Sequence, residues 1–234
     1  MSISTLVLSL ADNKQMLGLR YAEWATRAPS LEADIAAAAM GLDDLGHSRV
    51  LYGCLEPLGE DPRGPEREND AGSYLNLAYF DDPWADWNQF VAANAVLDNA
   101  FTTLIQACVE GNVEVLQHRL RKMLMEERYH LLHGRSWLRA GLPENVLGEA
   151  WRQAVEWFGP PDGEVQQLHR EGALSMGANE LLAGLEERLE TKAPRLEIDW
   201  SGWDPLRRRS RPGQIDERTF GMLRGLEERK FASA

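Results

Sequence analysis

The stretch Gly41-Leu42-Asp43-Asp44-Leu45-Gly46-His47 sets a carboxylate and an imidazole three residues apart, and Glu126-Glu127-Arg128-Tyr129-His130 repeats the spacing. Residues at i and i+3 share one face of an α-helix, so each pair projects together. Outward from the first pair, Ala33, Ala37, Met40, Asp44, His47, Leu51 and Cys54 recur at spacings of three and four. That period predicts a helix over about 30–58 whose inward face carries ionisable groups. Ser30, following Pro29, is its N-cap, and Pro57 and Gly59 mark its end. Around the second pair, Leu120, Met123, Glu127, His130 and Trp137 stack along a helix predicted over about 112–140, before Gly141.

The rest of the chain has the same period. Val7, Leu10, Lys14, Leu17, Tyr21 and Trp24 share one face of a helix over about 3–27, stopped at the Ala28-Pro29 step. A helix over about 83–110, opened by Pro83 and ended at Gly111, puts Val91, Ala95, Asp98, Phe101, Ile105 and Cys108 on one side. Two more helices, about 143–158 and 164–191, flank Gly159-Pro160-Pro161, and a last one over about 215–231 follows the polar loop Lys192 to Gln214. Glu60 to Gly72, rich in Pro, Gly and charge, reads as a loop, with a short irregular or helical piece to Asp82. Nothing alternates with period two over a useful length, and no fixed-length repeat is visible. The expected architecture is all-α, a single domain over 1–234 with a four-helix bundle core and additional C-terminal helices.

Composition narrows the function. The 234 residues are ample for a large core, and Lys+Arg 25 against Asp+Glu 37 gives 25 − 37 = −12, which disfavours nucleic acid and anionic membrane as partners. Cys54 and Cys108 lack a metal or disulfide spacing, which fits a reducing cytosol. The longest apolar run, Ile35 to Leu42, is too short to cross a bilayer, so the expected location is cytoplasmic. There is no Gly-rich phosphate loop, no G-x-S-x-G elbow and no His-Glu-x-x-His.

Each of the first four helices thus carries ionisable residues at inward positions. Ferritin-like carboxylate proteins are built in this way: two helices each bring an acid-x-x-His pair and the other two bring one carboxylate each, because hard metal ions need several oxygen ligands. Asp44, His47, Asp98, Glu127 and His130 fill five of those six positions. The sixth, on the first helix, is Lys14, a cation with donors only. One reading is a vestigial metal site in which Lys14 supplies by salt bridges the charge a metal would bring; against it, Lys14 can snorkel outward as an ordinary amphipathic lysine. The rival is a ferritin-like metal-dependent oxygenase or oxidase holding iron or manganese through Asp44, His47, Asp98, Glu127 and His130, with Glu126 or Glu23 recruited to a shifted site. Elsewhere, Arg207, Arg208, Arg209 and Arg211 form the one basic cluster. It is read as a solvated loop or partner contact, with a phosphate site, such as one touching coenzyme A, as the sharper alternative. Trp84, Trp87, Trp151 and Trp157 lie outside the ionisable stripes and suit interface anchors, or packing of the later helices onto the bundle.

The run Trp24 to Leu31, the segment Gly41 to His47, Glu126-Glu127-Arg128-Tyr129-His130-Leu131 with Arg135-Ser136-Trp137-Leu138, and the opening Leu10-Ala11-Asp12-Asn13 resemble the phenylacetic acid catabolic protein family of the bacterial phenylacetyl-CoA epoxidase complex. The resemblance extends to Phe220-Gly221-Met222-Leu223. That family has a di-iron catalytic subunit and a related structural subunit that has lost the metal. The Ala11-Asp12-Asn13 and Glu23-Trp24 contexts are more similar to the structural one. The resemblance implies that Lys14 stands at the position of a ligand glutamate and Asp44 at that of another. It further implies no cofactor in this chain, a di-iron partner subunit of the same family, and a homodimer when the chain is isolated.

Overall fold

The computed structural model describes residues 2–60 and 70–231. Helix α1 spans Ile3–Trp24 and α2 spans Leu31–Gly53. Both start on serine N-caps: Ser2 accepts from the Thr5 amide and Ser30 from that of Ala33, at 3.2 Å each. The two helices pack closely because Gly18 and Gly41 face each other. A Cβ added at Gly18 would lie 3.0 Å from the Gly41 carbonyl oxygen.

The third core helix starts at Trp87, four residues later than Pro83, because Asp86 is the N-cap and accepts from the Gln89 amide at 3.1 Å. It runs as α3 (Trp87–Ala92), a π-helical segment (Ala93–Asp98) and α4 (Asn99–Glu110). The fourth predicted helix is two: α5 (Glu114–Arg119) and α6 (Met123–Ala140). Leu116, Leu120 and Met123 stay buried across the break, so the apolar period hides it. α7 covers Glu144–Phe158. The predicted helix over 164–191 also splits, into α8 (Glu164–Arg170) and α9 (Ala178–Leu189), where Gly172 takes a positive φ of 78°. α10 spans Glu217–Phe231. The predicted loop 60–72 falls largely on 61–69, outside the described residues.

Among the described residues there is no strand, only an isolated bridge between Asp204 and Arg209. α1, α2, the α3–α4 helix and α6 surround one core, with α7 and α9 packed against it: an all-α, ferritin-like helical bundle. No described helix is long and apolar enough to cross a membrane.

Two expectations need correction. Trp84, Trp151 and Trp157 are buried, and Trp87 stacks on Phe90 at 4.1 Å, so this quartet packs the interior rather than presenting anchors to a partner. The basic loop is not uniformly solvated. Arg208 is fully buried, donating to the Trp157 and Phe158 carbonyls at 2.5 and 2.8 Å, where α7 ends and leaves carbonyls without helical partners. Arg209, also buried, pairs with Asp81 at 2.9 Å. Neither guanidinium is free to hold a coenzyme A phosphate. Arg207 is half-buried, and Arg211 is exposed.

Candidate functional site

The structure brings Lys14, Asp44, His47, Asp98, Glu127 and His130 into one buried cluster at the centre of the bundle. Lys14 does not snorkel. Its side chain is fully buried, and Nζ donates to Asp44 Oδ1 at 2.7 Å, to Asp98 Oδ1 at 2.5 Å and to Glu127 Oε1. One ammonium therefore uses its three protons on three carboxylates from three different helices.

The second oxygens of Asp98 and Glu127 are held as well, while Asp44 Oδ2 is buried without a hydrogen-bond partner. Asp98 closes the π-helical segment, which turns its carboxylate toward α1 and α6. Its Oδ2 accepts from the Tyr21 hydroxyl at 3.0 Å and sits 2.8 Å from His130 Nδ1. Glu127 Oε2 accepts from the Thr102 hydroxyl at 2.9 Å, and His47 Nδ1 lies 3.0 Å from Glu127 Oε1. The outer nitrogens of the imidazoles are met by acids one residue ahead of each motif, reaching across from the opposite helix. Glu126 of α6 lies 3.0 Å from His47 Nε2, and Asp43 of α2 lies 3.5 Å from His130 Nε2. The roles of Tyr21, Thr102 and Asp43 escape sequence reasoning. Their only signals are Tyr21's place on the Lys14 stripe, Thr102's one turn beyond Asp98, and Asp43's doubling of the acid. Glu23 is not part of the cluster; it pairs with Arg20 at 3.1 Å.

The electrostatics follow from this geometry. Burial alone would drive the Lys14 proton off, but Asp44, Asp98 and Glu127 outweigh it and hold the ammonium well above the ordinary lysine range. Burial also opposes charge on Glu127, and there Lys14, His130 and His47 prevail and keep the carboxyl well below its usual range. His47 is raised to about 9: burial works against the imidazolium, and the neighbouring carboxylates of Asp44 and Glu127 override it. His130 is raised as well, by Glu127 and Asp98 against burial. Only Asp44 moves upward among the shifted core acids, through burial and the charge of Asp98, with Lys14 pulling the other way.

Ligand atoms of Asp44, Asp98, Glu127 and His130 lie within 4.8 Å of one another, a spacing a metal ion could bridge. The donor set nevertheless contains a cation directed at three of those four residues. An ammonium has no lone pair to give, and its charge repels a metal at the same point. With Lys14 in place, the residues present do not fit a metal ion.

Helix packing and the buried cluster together place the chain among ferritin-like bundles with a carboxylate–imidazole centre. A family model described as phenylacetic acid catabolic protein matches residues 2–232, and the chain belongs to that family. It is also similar to a subunit of the 1,2-phenylacetyl-CoA epoxidase of Escherichia coli (strain K12), with 32% identity over 156 residues. That match covers 65% of this chain and 63% of the relative, just under two thirds of the relative's length.

Proposed function

We propose that this chain is a non-catalytic structural subunit of a multicomponent ring-1,2-phenylacetyl-CoA epoxidase in aerobic phenylacetate catabolism, and that it acts in the cytoplasm by holding a di-iron catalytic subunit of its own family. Family membership and the likeness to an epoxidase subunit support the pathway and the role within an assembly. The observation that carries the non-catalytic part is the contact of Lys14 with all three core carboxylates. On this reading the cluster is a vestigial metal site whose positive charge now comes from Lys14, and the chain itself holds no cofactor. An ammonium is neither a Lewis acid nor a redox centre, so the chain contributes through its shape and surfaces.

The test is co-expression with the cognate catalytic subunit. A stable complex is expected, and the chain alone should consume no oxygen with phenylacetyl-CoA and a reductase. Turnover by this chain with the partner rigorously absent would overturn the proposal, and so would failure to bind any family partner.

A further inference from the structure

The outward faces of α2 and α6 form a surface that the buried cluster does not use. Among the described residues, every exposed large apolar side chain except Leu206 lies on one of these two helices. Leu42, Met125 and Tyr129 leave 73%, 74% and 74% of their surface in solvent. With Ile35 and Val50 on α2 and Leu132 on α6, they recur at helical spacing along two neighbouring stripes. The helices run side by side and antiparallel, since Glu126 meets His47 while Asp43 meets His130. Gly46 lies on the same outward side of α2, and a Cβ added there would meet nothing within 4 Å. Single exposed apolar residues are normal on any protein, whereas a contiguous stripe marks a contact surface.

Charge identifies the occupant. The exposed charged residues from 121 to 140 are Arg121, Lys122, Arg128 and Arg139, all basic, and α2 adds Arg49. Two of these cations are already paired, Lys122 with Glu126 and Arg139 with Glu190, so Arg49, Arg121 and Arg128 carry the surplus; Asp43 faces His130, and Glu32, one turn before Ile35, is the one exposed acid on α2. A basic, apolar patch on a chain of net charge −12 is the reverse of the rest of the molecule. Two helices about 10 Å apart and roughly 25 Å long present on the order of 500 Å², approaching the ~800 Å² per partner of a standard interface. In a two-fold pair through this face the arginines of one copy would meet those of the other, which disfavours a second copy.

We propose that the outward face of α2 and α6 docks a partner protein whose contact surface has an apolar centre bordered by carboxylates. This deepens the functional reading above and rests on it, the partner being the catalytic subunit. The experiment is a binding titration of the purified chain against that subunit, using the variants Leu42→Asp, Tyr129→Asp and Gly46→Gln on the face and Leu206→Asp as an exposed control. Gly46→Gln extends a side chain into open space, so it keeps the test sound should an aspartate variant unfold.

Wild type and Leu206→Asp should bind alike, and each face variant should weaken binding by at least about 30-fold, the size of an interface hot spot. Arg128→Glu should slow association and flatten its dependence on salt. Wild-type binding left intact by the face variants would overturn the surface while leaving the functional proposal standing. Absence of wild-type binding would overturn both. Self-association abolished by Leu42→Asp, or sedimentation with anionic phospholipid vesicles abolished by it, would overturn the choice of partner.

Discussion

Replacing Lys14 with methionine keeps most of the side-chain volume and removes the ammonium, so it isolates the charge. In the structure this leaves Asp44, Asp98 and Glu127 facing one another in a site with no solvent exposure at Lys14, Asp44 or Asp98. His130 stays as a counter-charge on the far oxygens of Asp98 and Glu127 and His47 beside Glu127 Oε1, but nothing replaces the donor common to all three acids. Breaking a buried ion pair by removing one partner costs about 3–5 kcal/mol. For a chain of this size that lowers the melting midpoint by roughly 6–20 °C, at about 2–4 °C per kcal/mol. The orphaned carboxyls should take up a proton, raising their folded-state pKa above the unfolded value. The penalty should therefore be full near neutral pH and shrink as pH falls through that raised pKa. Thermal and urea melts of wild type and Lys14→Met at pH 7 and pH 5 measure both effects. A variant within about 0.5 kcal/mol of wild type at both pH values would mean that Lys14 does not neutralise the cluster.

Three further outcomes can be checked. His47, raised to about 9 from 6.5, gives stability that is present below its unfolded pKa and lost as pH rises toward 9; urea midpoints should fall over that window and the slope should flatten in His47→Gln, and equal slopes in the two proteins would refute the assignment. In Gly111→Ala the added Cβ would lie 2.2 Å from the Ala173 carbonyl oxygen, so backbone must move; a loss of about 1–3 kcal/mol is expected in a denaturant melt, and no loss would deny the close approach. Arg208→Met leaves the buried Trp157 and Phe158 carbonyls short of a donor and should cost about 2 kcal/mol; an unchanged melt would place that guanidinium in solvent.

The sequence announces the bundle through periodicity, because buried faces of helices must repeat every three or four residues whatever their partners. It also announces the cluster, since Lys14, Asp44, His47, Asp98, Glu127 and His130 sit on stripes made up otherwise of apolar and aromatic side chains. Breaks that conserve burial stay hidden. Leu116, Leu120 and Met123 carry the period across the end of α5 without a glycine or proline to mark it. Gly172 and Gly177 do mark the break between α8 and α9, and a continuous apolar pattern masks their effect. The π-helical segment before Asp98 has no compositional signature. The reach of Asp43 to His130 and of Glu126 to His47 depends on the distance between α2 and α6, which neither helix encodes alone. Arg208 and Arg209 look solvated in sequence because their partners, the end of α7 and Asp81, are tertiary neighbours.

On the proposed reading, Lys14 stands in for metal charge. Iron content after anaerobic loading and desalting, measured by elemental analysis on wild type and Lys14→Glu side by side, tests it most directly. Wild type should retain no stoichiometric iron, and Lys14→Glu, which exchanges the ammonium for a fourth carboxylate, should retain more. A full di-iron load on wild type, or equal retention by the two proteins, would contradict it.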